Sequence, residues 1–470
     1  MSKETSLEDI VSLCKRRGFI YQGSEIYGGL SGTWDYGPLG VTLKRNIMNL
    51  WWQMFVDGRD DMYGVDAAIL MNQKVWQASG HADGFNDPLV ECLNCHSKLR
   101  QDHIKSDKCP VCGTVDDFGD PQEFNMMFRT FIGPTWATAE YDLAKKIIGK
   151  IQFADRDSNI VDEIKIRDDT TADSVAVYEK SSLTYLRPET AQGIFTNFKN
   201  VVDSFYPDLP FGIGQQGKAF RNEIAPRDFI FRSREFEQME IEYFVHPDKW
   251  EEAFESWRKA VWDWCEALGL PKDSVHELEV PENDRAHYSK RTIDFEFDFP
   301  IGREELLGLA YRTDFDLGNI QRVSGKSQEY TIKGTTDKFI PHVIEPSFGL
   351  ERTIMAVLSS AYTEDEVNGE KRVYLKLPEH LAPVKYAVSP LLKNKPELVA
   401  KAREVYEALK KKHGAVMWDD NGNIGKRYRR QDEIGTPYCV VIDFDTLEDG
   451  TLTIRNRDTT EQQRIKMSDI

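Results

Sequence analysis

The sequence lacks any apolar run that approaches the roughly 20 residues of a membrane-spanning helix, and its first residues are polar and charged. These two absences predict a cytoplasmic protein with neither a secretion signal nor a membrane partner. Basic residues are also in deficit, since 60 Lys and Arg stand against 78 Asp and Glu, a formal net charge of -18. Such a balance argues against DNA and general nucleic-acid binding, although it leaves room for a local basic groove.

The chain of 470 residues is too long for one ordinary core, so two or more domains are expected. Residues 1–375 alternate short aromatic-rich strands with amphipathic helices. Residues 380–470 show a strand, a helix and then two strands joined by a glycine-containing turn, which is typical of a compact α/β domain. Residues 140–183 are charged and weakly patterned, which predicts an insertion within the first domain.

Cysteine is sparse, and four of the seven cysteines form two C-x-x-C pairs, with thirteen residues between the pairs: Cys92 and Cys95, then Cys109 and Cys112. Two such pairs at this distance can place four thiolates tetrahedrally around one zinc ion. The alternatives are disulfides or four unrelated thiols, and the missing secretion signal favours zinc. We predict a small zinc ribbon over residues 90–115, which would be structural because four thiolates leave no position open for water.

Cationic, acidic and aromatic residues are closely interleaved in FRNEIAPRDFIFRSREFEQME, residues 220–240. The central APRD has the composition of a turn, so the two flanks are expected to form an antiparallel hairpin. Alternate residues share one face of a strand, and on the second flank these are Arg232, Arg234, Phe236, Gln238 and Glu240. Such a surface suits a phosphate, a planar base and an ammonium group in turn. A solvated, salt-bridged strand pair fits the same pattern, and periodicity alone does not choose between them.

The same stretch resembles the second signature motif of class II aminoacyl-tRNA synthetases, in particular that of the dimeric, single-chain family specific for glycine. YGPLGVTLKRNIMNLWW (36–52) resembles the first motif, which forms the dimer interface in the family, and EPSFGLERTIMAVL (345–358) resembles the third. YLRPETAQGIF (185–195) and EELLGLAYRTDFDL (304–317) resemble glycine-family segments between these motifs. The resemblance implies an α+β fold, with an antiparallel sheet flanked by helices, and a homodimer.

A reaction in two steps is implied as well. The carboxylate of glycine attacks the α-phosphate of ATP to give glycyl-adenylate and diphosphate. The 3′-terminal ribose of tRNA(Gly) then takes the glycyl group, and AMP is released. Both steps need mainly positioning and charge neutralisation. Magnesium is expected with ATP because the departing diphosphate carries several negative charges.

The resemblance also implies roles for single residues in ATP binding. Arg221 contacts the α-phosphate, Phe236 stacks on adenine and Arg352 holds the γ-phosphate, and Arg221, Glu223 and Arg352 form the catalytic set. Glu305 matches a position that touches ATP and ligates magnesium. The full ATP-binding set is Arg221, Asn222, Glu223, Phe231, Arg232, Ser233, Arg234, Glu235, Phe236, Glu305, Leu306, Gly349, Leu350, Glu351 and Arg352. In LERTIMAVL, apolar residues recur at helical spacing and leave Arg352 off the buried stripe.

A pocket for glycine must bind an ammonium and a carboxylate and exclude any side chain, so it should be small and rich in carboxylates. An extra methyl group against a rigid wall costs about 1–3 kcal/mol or more, which makes a separate editing site unnecessary. The resemblance implies that Arg100 meets the carboxyl side of the substrate. The full glycine-binding set that it implies is Arg100, Glu189, Phe236, Glu237, Gln238, Met239, Glu240, Glu345, Pro346, Ser347, Phe348 and Gly349.

Residues 380–470 resemble the anticodon-binding domain that the glycine, histidine, threonine and proline synthetases share. Within it, a short basic cluster is implied to contact tRNA: Lys426, Arg427, Tyr428, Arg429 and Arg430. Its cations would neutralise RNA phosphates, and its tyrosine would stack on an unpaired base. A solvated loop with a purely structural role is the alternative.

Two other classes of protein fit parts of the pattern. An ATP-dependent ligase would adenylate another carboxylate on the same sheet without tRNA, but it would lack the C-terminal domain. A synthetase-like accessory RNA-binding subunit would have no catalytic activity, but it should have lost Arg221, Glu223 or Arg352, which are all present. The sequence therefore favours an enzyme that charges tRNA with glycine.

Overall fold

The structure is a computed structural model that describes residues 5–101, 104, 107–132, 183–367 and 369–470. The insertion predicted for residues 140–183 lies outside the described residues, apart from its last residue. The α-helices of the described part are α1 (Leu7–Arg17), α2 (Pro38–Trp52), α3 (Gln73–Ala78), α4 (His81–Gly84), α5 (Ala191–Phe205), α6 (Trp250–Ala267), α7 (Phe315–Ser324), α8 (Leu350–Ala361), α9 (Pro396–His413), α10 (Ile424–Glu433) and α11 (Phe444–Asp449). Not one of them is both long and apolar enough to cross a membrane.

The strands of the same residues form one large sheet, one five-stranded sheet and several small ones. In chain order they are β1 (Ile20–Gln22), β2 (Trp34–Tyr36), β3 (Met62–Gly64), β4 (Asn86–Glu91), β5 (Lys98–Arg100), β6 (Gln122–Asn125), β7 (Arg129–Phe131), β8 (Leu183–Tyr185), β9 (Phe211–Phe220), β10 (Glu235–Val245), β11 (Val275–Glu279), β12 (Arg291–Phe299), β13 (Gly302–Thr313), β14 (Tyr330–Thr331), β15 (Lys338–Phe339), β16 (His342–Gly349), β17 (Tyr362–Val367), β18 (Glu370–Leu375), β19 (Tyr386–Pro390), β20 (Val416–Trp418), β21 (Tyr438–Ile442), β22 (Thr451–Asn456) and β23 (Gln462–Lys466).

The large sheet has seven strands in the order β11-β12-β13-β16-β10-β9-β3. Its neighbouring strands are antiparallel, except that β3 runs parallel to β9 at one edge. Helices α2, α6 and α8 contribute to the hydrophobic core on one face, and α5 and α7 pack against part of the other face. The expected antiparallel sheet flanked by helices is therefore confirmed.

Strand β10 shows how the sequence separates these two faces. Met239, Ile241 and Tyr243 point into the main hydrophobic core, because alternate residues of a strand share a face. The residues between them, Gln238 and Glu240, are polar and lie on the opposite face. The two flanks do lead into antiparallel strands, since β9 and β10 pair from Phe211–Phe244 to Phe220–Glu235. The predicted tight turn at APRD is wrong, because β9 ends at Phe220 and a long loop, 221–234, connects the two strands. Strand β10 begins only at Glu235, so Arg232 and Arg234 belong to the connecting loop rather than to the strand.

Helix α8 follows β16 directly and has the predicted amphipathic pattern. Leu350, Ile354, Val357 and Leu358 are buried in the core, whereas Arg352 is only half-buried and lies off this stripe.

Helix α2 packs very closely on the segment that follows α1. A Cβ atom at Gly40 would lie 1.8 Å from the carbonyl oxygen of Phe19, so only glycine fits at this contact.

The C-terminal part is a separate five-stranded sheet in the order β20-β19-β21-β22-β23. Strand β19 is parallel to β20 and β21, and helix α9 follows β19 and packs on the sheet. The predicted strand, helix and strand are therefore present. The predicted turn between β21 and β22 is a short helix instead, α11, because the Asp443 side chain caps it by accepting a hydrogen bond from the Thr446 backbone N–H at 3.0 Å.

The hairpin of β17 and β18 connects α8 to the C-terminal sheet. Arg372 of β18 is buried there, where it pairs with Asp365 of its own hairpin and, at 3.2 Å, with Asp432 of α10. The same guanidinium donates to the carbonyl oxygen of Arg457 at 2.7 Å. Two buried polar contacts of Arg372 thus join the β17–β18 hairpin to the C-terminal part of the chain. The domain boundaries at 375 and 380 stay a prediction.

Candidate active site

A cavity of about 460 Å³ opens on the polar face of the large sheet. Its walls come from β10, β12, β13 and β16, from the loop between β9 and β10, and from the start of α8. Residues predicted for ATP and residues predicted for glycine line this same cavity: Arg221, Glu223, Phe231, Arg232, Ser233, Phe236, Glu305, Leu306, Gly349, Glu351 and Arg352 from the first set, and Arg100, Glu189, Gln238, Glu240, Glu345 and Ser347 from the second.

The other predicted residues do not line the cavity: Asn222, Arg234, Glu235, Leu350, Glu237, Met239, Pro346 and Phe348. The alternation of strand residues explains most of these positions. Met239 and Phe348 point into the hydrophobic core behind the sheet. Arg234 anchors the loop by donating to the carbonyl oxygens of Ser31 at 2.8 Å and Glu223 at 3.0 Å.

Glu237 and Glu351 connect the cavity wall to α2. The Glu351 carboxylate accepts a hydrogen bond from the Glu237 backbone N–H at 2.9 Å and another from Tyr36 Oη at 3.3 Å. The Glu237 side chain pairs with Lys44 of α2. Burial raises the pKa of Glu351 to about 7. These contacts join α2, β10 and α8, which carry the three segments that resemble signature motifs.

One side of the cavity is rich in arginine. The guanidinium of Arg221 lies between two aromatic rings, 5.3 Å from the centroid of Phe236 and 5.4 Å from that of Phe85. Arg352 lies over the ring of Phe231 at 4.7 Å and pairs with the Glu305 carboxylate at 2.9 Å. A guanidinium is planar, and the rings packed against it restrict its orientation, so its donors face a ligand in a fixed geometry. Such a row of oriented cations suits a polyphosphate.

The other side holds three buried carboxyl groups. Glu240 accepts hydrogen bonds from Ser347 Oγ at 2.8 Å, Gln238 Nε2 at 3.0 Å and the Thr190 backbone N–H at 2.9 Å. Glu345 pairs with Arg312 Nη1 at 2.6 Å. Each of these two carboxyl groups is therefore oriented by different donors. Two of the donors, Arg312 and Thr190, do not line the cavity and act from behind its wall.

Glu189 is the third carboxyl group of this side. Its Oε2 lies 3.2 Å from His81 Nε2, and its Oε1 accepts from Gln192 Nε2 at 3.2 Å. Burial disfavours its charge, but the nearby His81, Arg312 and Arg221 keep the pKa of Glu189 below its ordinary value. Burial and the charge of Glu189 raise the pKa of Glu240. Buried carboxyl groups this close together favour a bound cation, because it would relieve their mutual repulsion.

Sequence reasoning missed the wall formed by β12 and the loop before it. Asp284, Arg285, Tyr288, Thr292 and Asp294 line the cavity. Burial, with the charges of Glu305 and Glu296, raises the pKa of Asp294 to about 7. The signal available was the alternation of RTIDFEFDF, which places Thr292, Asp294 and Glu296 on one face. None of the segments that resemble family motifs includes this strand, so the sequence did not show which strand β12 pairs with or that this face borders the cavity.

The four paired cysteines meet in space between β4, β5 and β6. All four sulfur atoms lie within 4.8 Å of one another, with 3.6 Å between Cys92 and Cys112 and 3.8 Å between Cys95 and Cys109. These distances exclude disulfides, whose sulfurs are about 2.05 Å apart. Tetrahedral zinc with Zn–S bonds of about 2.3 Å separates its sulfurs by about 3.8 Å, so the donor set fits this ion.

The basic cluster lies on helix α10 of the C-terminal sheet domain, not in a loop. The Asn423 side chain caps this helix by accepting from the Lys426 backbone N–H at 2.9 Å. Lys426 is exposed, whereas Arg427 is buried and donates to the carbonyl oxygens of Gly422 and Pro390. The donors of Arg427 are thus used within the protein. Tyr428, Arg429 and Arg430 are half-buried.

Comparison with known proteins gives the relatives of this chain. Residues 177–361 match the family described as "tRNA synthetase class II core domain (G, H, P, S and T)", and residues 385–470 match "Anticodon binding domain". Proteins named glycine–tRNA ligase are similar over nearly their whole length. That of Lachnospira eligens is 46% identical over 99% of this chain and 98% of the relative, and that of Thermobifida fusca is 44% identical over 100% and 97%. That of Cutibacterium acnes is 43% identical over 100% of this chain and 96% of the relative. The chain therefore belongs to the glycine–tRNA ligases, a family of class II aminoacyl-tRNA synthetases.

Proposed function

We propose that this chain activates glycine with ATP and transfers the glycyl group to the 3′ end of tRNA(Gly), with release of AMP and diphosphate. One observation carries the proposal: a single cavity joins a row of oriented arginines to a cluster of buried carboxyl groups. The first suits the phosphates of ATP, and the second suits the ammonium of an amino acid. The full-length similarity to glycine–tRNA ligases supports glycine as that amino acid.

ATP lies along the arginine side in this proposal. Phe236 stacks on adenine, Arg221 binds the α-phosphate and Arg352 binds the γ-phosphate. Negative charge that develops on the α-phosphate during attack meets a guanidinium that Phe85 and Phe236 already hold in place, so little reorganisation is needed. Leu306 and Gly349 line the cavity beside these residues and shape the nucleotide site.

Glycine lies on the carboxyl side, with its ammonium toward Glu189, Glu240 and Glu345 and its carboxylate toward the α-phosphate. Arg100 lines the cavity and meets the carboxyl side of the substrate. The backbone of β16 and the hydrogen bonds to Glu240 keep this wall rigid. A side chain larger than hydrogen would clash there, which is how the pocket selects glycine.

Two metal ions belong to the proposal. The carboxyl groups of Glu305 and Asp294 lie close enough for the charge of one to raise the pKa of the other, and oxygen ligands of this kind suit Mg²⁺. When bound, Mg²⁺ neutralises charge on the diphosphate that leaves. Zinc in the cysteine cluster would be structural and would hold the ribbon that carries Arg100 at the end of β5.

Helix α10 is the proposed contact with tRNA. We propose that α10 contacts tRNA(Gly) through Lys426 and the exposed parts of Tyr428, Arg429 and Arg430, while buried Arg427 keeps the helix in place. A homodimer through the segment at 36–52 and a cytoplasmic location remain proposals that rest on the family. The accessory-subunit alternative is not supported, because Arg221, Glu223 and Arg352 all line the cavity.

The charging reaction tests this proposal. We expect the purified protein to attach radiolabelled glycine to tRNA(Gly) transcripts in the presence of ATP and magnesium, and to leave labelled alanine unattached at the same concentration. A tRNA for another amino acid serves as the control for RNA identity. Equal charging of alanine, or binding of tRNA(Gly) with no charging by glycine, would contradict the proposal.

Metal content tests the zinc assignment. We expect about one zinc ion per chain from a Cys₄ site, measured by inductively coupled plasma mass spectrometry after dialysis, and much less zinc in a Cys109→Ser variant. Cys265→Ala is the matched control, because Cys265 is buried in α6 away from the cluster. Zinc retained by the serine variant at the level of this control would show that the cluster is not the zinc site.

A further inference from the structure

The short segment between α3 and α4 places one histidine beside a pocket carboxylate. Gly80 has a φ of +85°, a conformation that L side chains rarely adopt, and it turns the chain sharply between the two helices. The turn directs His81 toward Glu189, with 3.2 Å between His81 Nε2 and Glu189 Oε2. The proposed reaction assigns no role to this histidine.

Both nitrogens of the His81 ring have partners. Nδ1 lies 2.8 Å from Ser79 Oγ, and Nε2 faces the Glu189 carboxylate. A carboxylate only accepts, so Nε2 carries the proton of this contact, and Nδ1 is then the natural acceptor for the Ser79 hydroxyl. The Glu189 carboxylate therefore requires the proton on Nε2, and the Ser79 hydroxyl supports the same tautomer when it donates to Nδ1.

Packing also fixes the plane of the ring. His81 lies edge-on to Trp76, with ring centroids 5.7 Å apart, and contacts Phe85 at 5.2 Å. Trp76 is fully buried. Phe85 is the same ring that lies under the guanidinium of Arg221 at 5.4 Å. A ring held on two sides and hydrogen-bonded at both nitrogens has little freedom to rotate.

Hydrogen-bond donors also orient the other two carboxyl groups of the pocket. Glu345 is paired with Arg312, and Glu240 receives neutral donors from Ser347, Gln238 and Thr190. His81 is the corresponding group for Oε2 of Glu189, whose Oε1 is held by Gln192. Without His81, this buried oxygen would lose its donor, and the carboxylate could turn away from the cavity.

We propose that His81 is a positioning residue for glycine: its Nε2–H fixes the Glu189 carboxylate in the orientation that receives the substrate ammonium. The inference rests on the proposed function, because Glu189 has this task only if glycine binds in the pocket. His81 does not line the cavity, so it acts through Glu189 rather than on the substrate. Loss of its donor should weaken glycine binding and leave ATP binding unchanged.

Three variants separate the hydrogen bond from the packing. His81→Phe keeps a ring between Trp76 and Phe85 but has no donor, and His81→Gln supplies an amide donor without the ring. Ser79→Ala leaves the imidazole in place and removes the hydrogen-bond partner of its Nδ1. The measurements are the KM values for glycine and for ATP in glycine-dependent ATP–diphosphate exchange, together with the melting temperature of each variant.

His81→Phe is expected to raise the KM for glycine by on the order of ten- to a hundredfold, as expected for a lost hydrogen bond to a charged group, with an unchanged KM for ATP. His81→Gln should recover most of this loss, and Ser79→Ala should raise the KM for glycine by about three- to tenfold. An unaltered KM for glycine in His81→Phe, with active wild-type protein, would overturn this inference alone.

A wild-type protein that shows no glycine-dependent exchange would overturn the proposed function and this inference together. Equal rises in the KM for glycine and for ATP in His81→Phe would indicate general damage to the site and would also overturn the inference. If His81→Phe does not fold, Ser79→Ala decides the question: the stated rise supports the inference, and an unchanged KM for glycine overturns it.

Discussion

Replacing Arg221 with alanine is expected to lower the rate of glycine-dependent ATP–diphosphate exchange by at least 10²–10³-fold, the usual cost of removing one oriented donor from a developing anion. The guanidinium of Arg221 lies between Phe85 and Phe236 and donates to the Pro188 carbonyl oxygen at 3.1 Å. It is therefore oriented before the substrate arrives. Arg221→Lys should recover only a small part of the rate, because an ammonium has neither the planar fork nor the stacking surface.

Arg227→Ala is the matched control for this prediction. Arg227 lies on the same loop between β9 and β10, pairs with its neighbour Asp228 at 3.0 Å and is exposed. Its loss should change the exchange rate by less than about twofold, because an exposed ion pair contributes little. An Arg221→Ala variant that is folded by circular dichroism and keeps more than about a tenth of the exchange rate would contradict the role of Arg221 in electrostatic stabilisation.

Replacing Arg312 with alanine is expected to destabilise the catalytic part of the protein by about 3–5 kcal/mol. Arg312 is buried and donates to Asp316 through two nitrogens, at 2.8 and 3.0 Å, and to Glu345 at 2.6 Å. Its guanidinium also stacks on the Tyr288 ring at 3.8 Å. Alanine would leave two buried carboxyl groups without their cation, and that penalty is larger than the net contribution of the intact ion pair.

The measurement is urea-induced unfolding followed by tryptophan fluorescence, with the transition midpoint compared between variants. Arg322→Ala is the control, because Arg322 lies on the same helix α7 but is exposed, and its side chain donates to Asn319 Oδ1 at 3.0 Å rather than to a buried carboxylate. That control should change the free energy of unfolding by less than about 0.5 kcal/mol. An Arg312→Ala midpoint equal to that of Arg322→Ala would show that the buried pairs contribute nothing.

The sequence predicts the positions of residues in the segments that resemble family motifs, because the motif identifies the strand and the alternation of its residues identifies the face. Gln238 and Glu240 lie on the polar face of β10, and Met239 lies in the core, as the period of two requires. Helix α8 likewise buries its apolar stripe and leaves Arg352 beside the cavity. Here the local pattern determines which way a side chain points, and the neighbouring strands do not alter it.

Contacts between distant segments could not be predicted in this way. His81 and Glu189 are far apart in sequence, and the tertiary fold brings them together, with the turn at Gly80 and the packing on Trp76 orienting His81. Asp294 lines the cavity because β12 pairs with β13, which no pattern within β12 reveals. Both positions depend on the three-dimensional arrangement of strands and loops.

The basic cluster of α10 shows a second limit of sequence reasoning. The resemblance implies a single tRNA-contacting cluster of five adjacent residues, 426–430, but a helix distributes neighbours around its axis. Lys426 is exposed, and Arg427 points inward to carbonyl oxygens of Gly422 and Pro390. A charged residue is buried where the fold supplies acceptors, and here one acceptor, the Pro390 carbonyl oxygen, comes from a distant segment of the chain.

Amino-acid-dependent ATP–diphosphate exchange without tRNA tests the central claim, that one cavity binds glycine and ATP and joins them as an adenylate. Glycine, alanine and serine are compared at equal concentrations with the purified wild-type protein. We expect exchange with glycine and none above background with alanine or serine, because a methyl group already meets the rigid wall of the pocket. Equal exchange with alanine, or no exchange with glycine from folded protein, would contradict the claim.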